Sequence, residues 1–154
     1  MNVSSPLVPP SGALQGALHL FPLRVYYEDT DLSGVVYHAN YLRWFERARS
    51  DLLRLLGIDQ RAAAEAREGT YAVADLSIRY LAPARLDDAV TIASTATELG
   101  AASVRLRQRA LRGDHLLAEA FVRVGFISPD GRPRRQPDAW RAAFKSLQSA
   151  KDAA

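Results

Sequence analysis

Between Tyr26 and Tyr41 the chain reads Tyr26-Tyr27-Glu28-Asp29-Thr30-Asp31-Leu32-Ser33-Gly34-Val35-Val36-Tyr37-His38-Ala39-Asn40-Tyr41. Carboxylates, a glycine turn, a histidine and an asparagine are crowded just ahead of a long apolar periodicity. Packing alone does not call for so many polar groups at the mouth of a helix. A helix N-terminus offers unpaired N–H groups and a partial positive charge, so it can hold a developing negative charge. A carboxylate a few residues upstream can serve as base or nucleophile at the same spot. Acyl transfer needs both.

Each residue also has a plainer reading. Asp31 suits a cap on the Ser33-Gly34 turn as well as it suits catalysis. Glu28 and Asp29 read as structural or screening charges at a strand end. An imidazole just before a helix N-terminus tends to stay neutral, so His38 could orient water or an acyl group, or simply be a satisfied polar side chain. Asn40 is most simply the N-cap. Tyr37, Tyr41, Tyr71 and Tyr80 either line an acyl pocket or fill the core, the commoner fate of aromatics. Glu46 lies on the polar side of the helix and reads as a partner for a neighbouring charge.

The elements that must position these groups follow from periodicity. Leu18 to Glu28 alternates as a first strand. Tyr41, Trp44, Phe45, Ala48, Leu52, Leu55 and Leu56 recur at spacings of three and four, with Arg43, Glu46, Arg47, Asp51 and Arg54 opposite them. This predicts a helix over 40–56, its apolar face free of polar breaks, ended by Gly57. A short helix is expected over 60–67. Strands are expected within 71–80, 90–98, 103–112 and 115–127, with turns at Gly100 and Gly113-Asp114. Arg105, Arg107 and Arg109 then share one sheet face, as a solvated surface or a subunit contact. Pro137 opens a last helix through 147. The class is α+β: an antiparallel sheet of about five strands around a central helix. Residues 1–18, without a charged side chain, are expected as a flexible arm, 19–147 as one domain and 148–154 as a tail.

Composition narrows the function. A chain of 154 residues with 48% hydrophobic and 24% charged residues fits one soluble domain. No apolar run approaches the length of a membrane helix, and the proline-broken N-terminus lacks the basic region of a secretory signal. The absence of cysteine excludes thiolate nucleophiles and fits a reducing, cytoplasmic setting. His19, His38 and His115 share no ligand spacing, so no metal is expected. There is no Gly-X-Ser-X-Gly elbow and no glycine-rich phosphate loop. The net charge of +3 is small. Its one cluster, Arg132, Arg134 and Arg135, is either a solvated loop or a phosphate site. It has no interleaved aromatics, which disfavours nucleic acid.

The run from Val25 to Leu53 together with Tyr80-Leu81-Ala82-Pro83-Ala84-Arg85-Leu86-Asp87-Asp88 resembles hotdog-fold acyl-CoA thioesterases of the 4-hydroxybenzoyl-CoA thioesterase-like branch. Within that branch the chain is most similar to the small bacterial enzymes associated with the Tol–Pal envelope system. The resemblance spans about residues 21–144. It implies an acyl-CoA substrate, no cofactor, and a homodimer or a dimer of dimers (a homotetramer). It also implies sites between subunits near the central helix N-terminus, and a possible peripheral association with envelope machinery. The family's catalytic carboxylate falls on Asp31. Its carbonyl-binding N–H falls on His38, whose side chain belongs to the family's His-X-Asn signature. Tyr37, Asn40 and Tyr41 are then expected at the substrate, with Arg85, Arg134 and Arg135 toward the coenzyme A phosphates. Two alternatives differ in class: a hotdog hydratase or dehydratase, which the Asp31–His38 spacing disfavours, and a non-catalytic acyl-CoA-binding or envelope-complex module.

Overall fold

A computed structural model describes residues 7–152, with side chains through Gln148. The elements in chain order are β1 (Ala13–Gln15), β2 (Leu18–Arg24), α1 (Asn40–Leu55), α2 (Gln60–Glu65), β3 (Thr70–Tyr80), β4 (Ala89–Leu99), β5 (Ser103–Arg112), β6 (His115–Ile127) and α3 (Asp138–Asp152). All strands pair antiparallel in one sheet, in the order β1-β2-β4-β5-β6-β3. The sheet therefore has six strands where the alternation predicts about five. The sixth, β1, lies within the residues expected as a flexible arm. Likewise α3 runs on through residues 148–152 of the expected tail.

The first strand stops at Arg24, short of the expected Glu28, and gives way to a 3-10 turn at Tyr27–Asp29. Its Pro22 is tolerated because β1 pairs no further than Leu20, so beyond that point β2 is an edge. At the other end of the sheet β3 pairs only with β6, leaving its outer edge open along eleven residues. An open edge of that length is a template for another strand.

The helix α1 crosses the concave face of the sheet. Tyr41, Trp44, Phe45, Ala48 and Leu52 are buried against Val25, Ile92, Leu106, Leu117, Ala120 and Val122. Phe144 and Leu147 of α3 close the far side. Two details depart from the periodic reading. Leu55 faces outward, since the helix ends there and Leu56 turns in instead. The apolar face is also not free of polar groups. Asp51 is buried and its Oδ2 sits 2.7 Å from Nε2 of His19 on β2. Gln108 is fully buried and bridges α1 to the sheet, donating to the Phe45 carbonyl and to Ser94 Oγ while accepting from Arg49. Gly57 does end the helix in the left-handed region expected of a glycine there, at φ +78°.

Candidate active site at the mouth of the central helix

The chain reaches the helix mouth through a brace built on Asp29. Its Oδ2 accepts the Tyr26 N–H at 2.8 Å. Its carbonyl accepts the Tyr37 N–H at 2.9 Å and the Asn40 side-chain amide at 2.7 Å. Asp29 braces the loop through these bonds, from the 3-10 turn and not from the strand end the sequence suggests. Asn40 is not the N-cap: Ala39 occupies that position without a side-chain cap, and Asn40 is the first helical residue, buried and turned back to Asp29. The amide is used across the loop because the Asp29 carbonyl lies within its reach, which leaves the helix mouth itself uncapped.

Between these anchors the segment 30–36 folds into a small hairpin, closed by a Thr30–Val36 bridge and by the Asp31 N–H on the Val35 carbonyl. Gly34 makes the turn at φ +81°, a region that favours glycine. Asp31 is exposed, and its Oδ1 accepts from both the backbone N–H and the hydroxyl of Ser33. Those bonds hold its carboxyl below the usual carboxylate range: the Ser33 hydroxyl contributes most, then the Ser33 N–H, with a smaller pull from His38. The turn-capping reading of Asp31 is thus met by Ser33, which occupies Oδ1, while Oδ2 has no hydrogen-bond partner among the described residues.

His38 is exposed, its ring 4.5 Å between centroids from Tyr37 and 6.1 Å from Tyr80. The Tyr37 carbonyl receives the Asn40 N–H, and the His38 carbonyl receives the Tyr80 hydroxyl at 2.9 Å. No acceptor among the described residues takes the His38 N–H. Beside it lies a cleft of about 320 Å³ lined by Val36, His38, Tyr41, Tyr80, Leu81 and Pro83.

The other expected contacts divide. Tyr37 is half exposed at this mouth. Tyr41 is almost entirely core, edge-on to Trp44, and presents only its margin to the cleft while its hydroxyl accepts the Ala84 N–H. Arg85 is bridged by its backbone to Val35, which sets it beside the Asp31 turn. Arg134 and Arg135 lie elsewhere. Nη1 of Arg134 donates to the Glu68 carbonyl at 2.6 Å, at the Thr70 end of β3, whereas the site sits at the Tyr80 end. Eleven extended residues separate the two ends by roughly 30 Å. Arg135 faces Asp138 at 3.8 Å. Ser33 and Tyr80, by contrast, border this mouth: the sequence offers Ser33 only as part of a turn, and Tyr80 as either an acyl-pocket or a core aromatic. Among the described residues, no three His, Asp or Glu side chains gather as metal ligands, and no helix is long and apolar enough to cross a membrane.

An antiparallel sheet wrapped on one helix, with carboxylate and histidine at its mouth, defines a hotdog-fold protein. A sequence profile described as Thioesterase superfamily matches residues 33–119, and the chain belongs to that superfamily. It is 40% identical over 129 residues to the Haemophilus influenzae protein named acyl-CoA thioesterase YbgC, covering 83% of this chain and 95% of that one. A probable thioesterase from Bartonella henselae shares the structure with a TM-score of 0.75 at 39% identity, over 78% of this chain and 99% of that one. A 4-hydroxybenzoyl CoA thioesterase mutant complexed with 4-hydroxybenzoyl CoA shares the fold with a TM-score of 0.78 at 20% identity, over 83% and 99%.

Proposed function

We propose that this protein hydrolyses an acyl-CoA thioester to the free acid and coenzyme A. The relatives named as acyl-CoA thioesterases support the reaction class. The observation that carries the site assignment is the ionised, exposed Asp31 carboxylate next to a helix mouth with an unclaimed N–H. The thioester carbonyl oxygen accepts from the His38 N–H, where the field of α1 stabilises the negative charge that develops. Oδ2 of Asp31 either attacks the carbonyl carbon, expelling the coenzyme A thiolate and leaving a mixed anhydride that water cleaves, or takes a proton from an attacking water. Tyr37 and the cleft beside Tyr41 receive the acyl group, and our preference is for short to medium aliphatic chains, from the subgroup resemblance alone.

The open edge of β3 is the natural contact for a second copy of the chain, in a dimer that can pair again as a tetramer. Antiparallel pairing of two β3 edges would bring the Thr70 end of one copy toward the Tyr80 end of the other. Arg134 and Arg135 would then approach a neighbour's coenzyme A phosphates, with Arg85 supplied from the site's own chain. Asp31→Asn tests the assignment: turnover of acyl-CoA falls by orders of magnitude while acyl-CoA binding persists. Near-normal turnover in that variant would sink it.

A further inference from the structure

We infer that Tyr80 is a positioning residue whose hydroxyl, by holding the His38 carbonyl, sets the backbone geometry of His38 at the helix mouth. The peptide plane before His38 is pinned by the Asn40 N–H on the Tyr37 carbonyl at 2.9 Å. The plane after it is pinned by the Tyr80 hydroxyl on the His38 carbonyl at 2.9 Å. Two planes meet at one α-carbon, so holding both restrains φ and ψ of His38: the first plane carries its N–H, the second carries the Ala39 N–H, and the angle between them aims its side chain. Without Tyr80 the first plane stays tied and the second is free to turn.

Tyr80 is itself well anchored. It closes β3 opposite Ala118, and the two residues after it both donate to the Leu117 carbonyl, at 2.8 and 3.1 Å. Its ring stands edge-on to His38 and to Tyr41, 5.6 Å away between centroids. Partial burial keeps the phenol pKa above its ordinary value, so the hydroxyl remains a donor across the working pH range. Groups that must meet a developing negative charge gain from being held relative to one another before the reaction starts, and Tyr80 holds the second of the two planes at His38. The brace comes from a residue 42 positions away, on a strand whose other edge is open.

Tyr80→Phe removes the hydroxyl and keeps both ring contacts. The kinetic arm rests on the thioesterase reading: with a short acyl-CoA, kcat falls about tenfold or more while KM changes little, because small misplacements of reacting groups cost rate before binding. The structural arm does not rest on it: amide resonances of His38 and Ala39 shift or broaden in the variant, with an unchanged melting temperature. Wild-type kcat with unmoved resonances overturns the proposal, as does a kcat loss matched by a fall in melting temperature or an equal rise in KM. If the unmodified protein releases no thiol from any acyl-CoA, the functional reading fails and the resonances alone decide the role of Tyr80.

Discussion

Nε2 of His19 on β2 and Oδ2 of Asp51 on α1 meet at 2.7 Å, with the histidine wholly out of solvent. The same Oδ2 accepts the Gly12 N–H at 2.9 Å, so one carboxylate ties the helix to the second strand and to the chain just before β1. The other ring nitrogen of His19, Nδ1, is buried without a hydrogen-bond partner. The approach is too close for any side chain at residue 12: a Cβ there would overlap the Leu20 carbonyl oxygen.

Removing one member of this pair strands the other. Asp51→Ala is expected to cost about 1–3 kcal/mol in urea unfolding, the range for leaving a buried donor without its acceptor. Asp51→Asn, which can still accept from both donors, costs less. Gly12→Ala lowers stability and exposes residues 7–15 to protease, while a variant as resistant as the parent would show that the close approach does not hold the arm.

The Ser33 bonds to Asp31 predict a pH effect with a definite sign. A depressed pKa means the native state holds the carboxylate ionised more firmly than the unfolded chain does. The contribution is therefore present above the unfolded value of about 3.8 and is lost as pH falls through the lower native value. The acid limb of kcat/KM falls in the same window. Ser33→Ala moves that limb upward toward the ordinary carboxylate value. A limb that stays put in Ser33→Ala would place the essential ionisation on another group.

Arg134 and Arg85 are expected to fail differently. Arg134 holds the loop after β6 to the Glu68 carbonyl, so Arg134→Ala costs about 1 kcal/mol of stability in addition to any contact with a neighbour's coenzyme A. Arg85 stands beside the Asp31 turn with its guanidinium in none of the ion pairs of the described residues. Arg85→Ala raises KM for acyl-CoA, with a penalty that shrinks as salt rises and vanishes on a short thioester lacking the nucleotide. Equal losses on both substrates would assign Arg85 to the fold.

The open β3 edge predicts an assembly. Sedimentation of the full chain should give a dimer or larger species. Val73, half exposed on that strand beside a register shift, offers a way to weaken it. Val73→Lys places charge on the edge and should shift the species toward monomer, with activity falling in step. A monomer at working concentration with full activity would remove the partner from the site.

Much of this molecule is legible without coordinates. The helix over 40–55 and the strands 103–112 and 115–127 follow from repeats of three to four and of two, because a continuous core on one side imposes that period locally. The carboxylate and histidine at the helix mouth are legible for the same reason: they lie within eight residues of each other in a short loop whose path a glycine turn constrains. Three things needed the fold. Asp51 reads as a surface charge by its place on the helical wheel, and only the arrival of His19, 32 residues away, makes it a buried partner. Arg134 reads as a phosphate ligand by type, and only the path of the sheet shows that it lies at the far end from its own chain's Asp31, donating to a carbonyl 66 residues away. Tyr80 reads by type as either a pocket or a core aromatic, and only the path of β3 sets its hydroxyl against the His38 carbonyl. Local periodicity reports which face of an element is apolar; what a polar group meets on the neighbouring element depends on contacts between distant residues, and packing alone decides those.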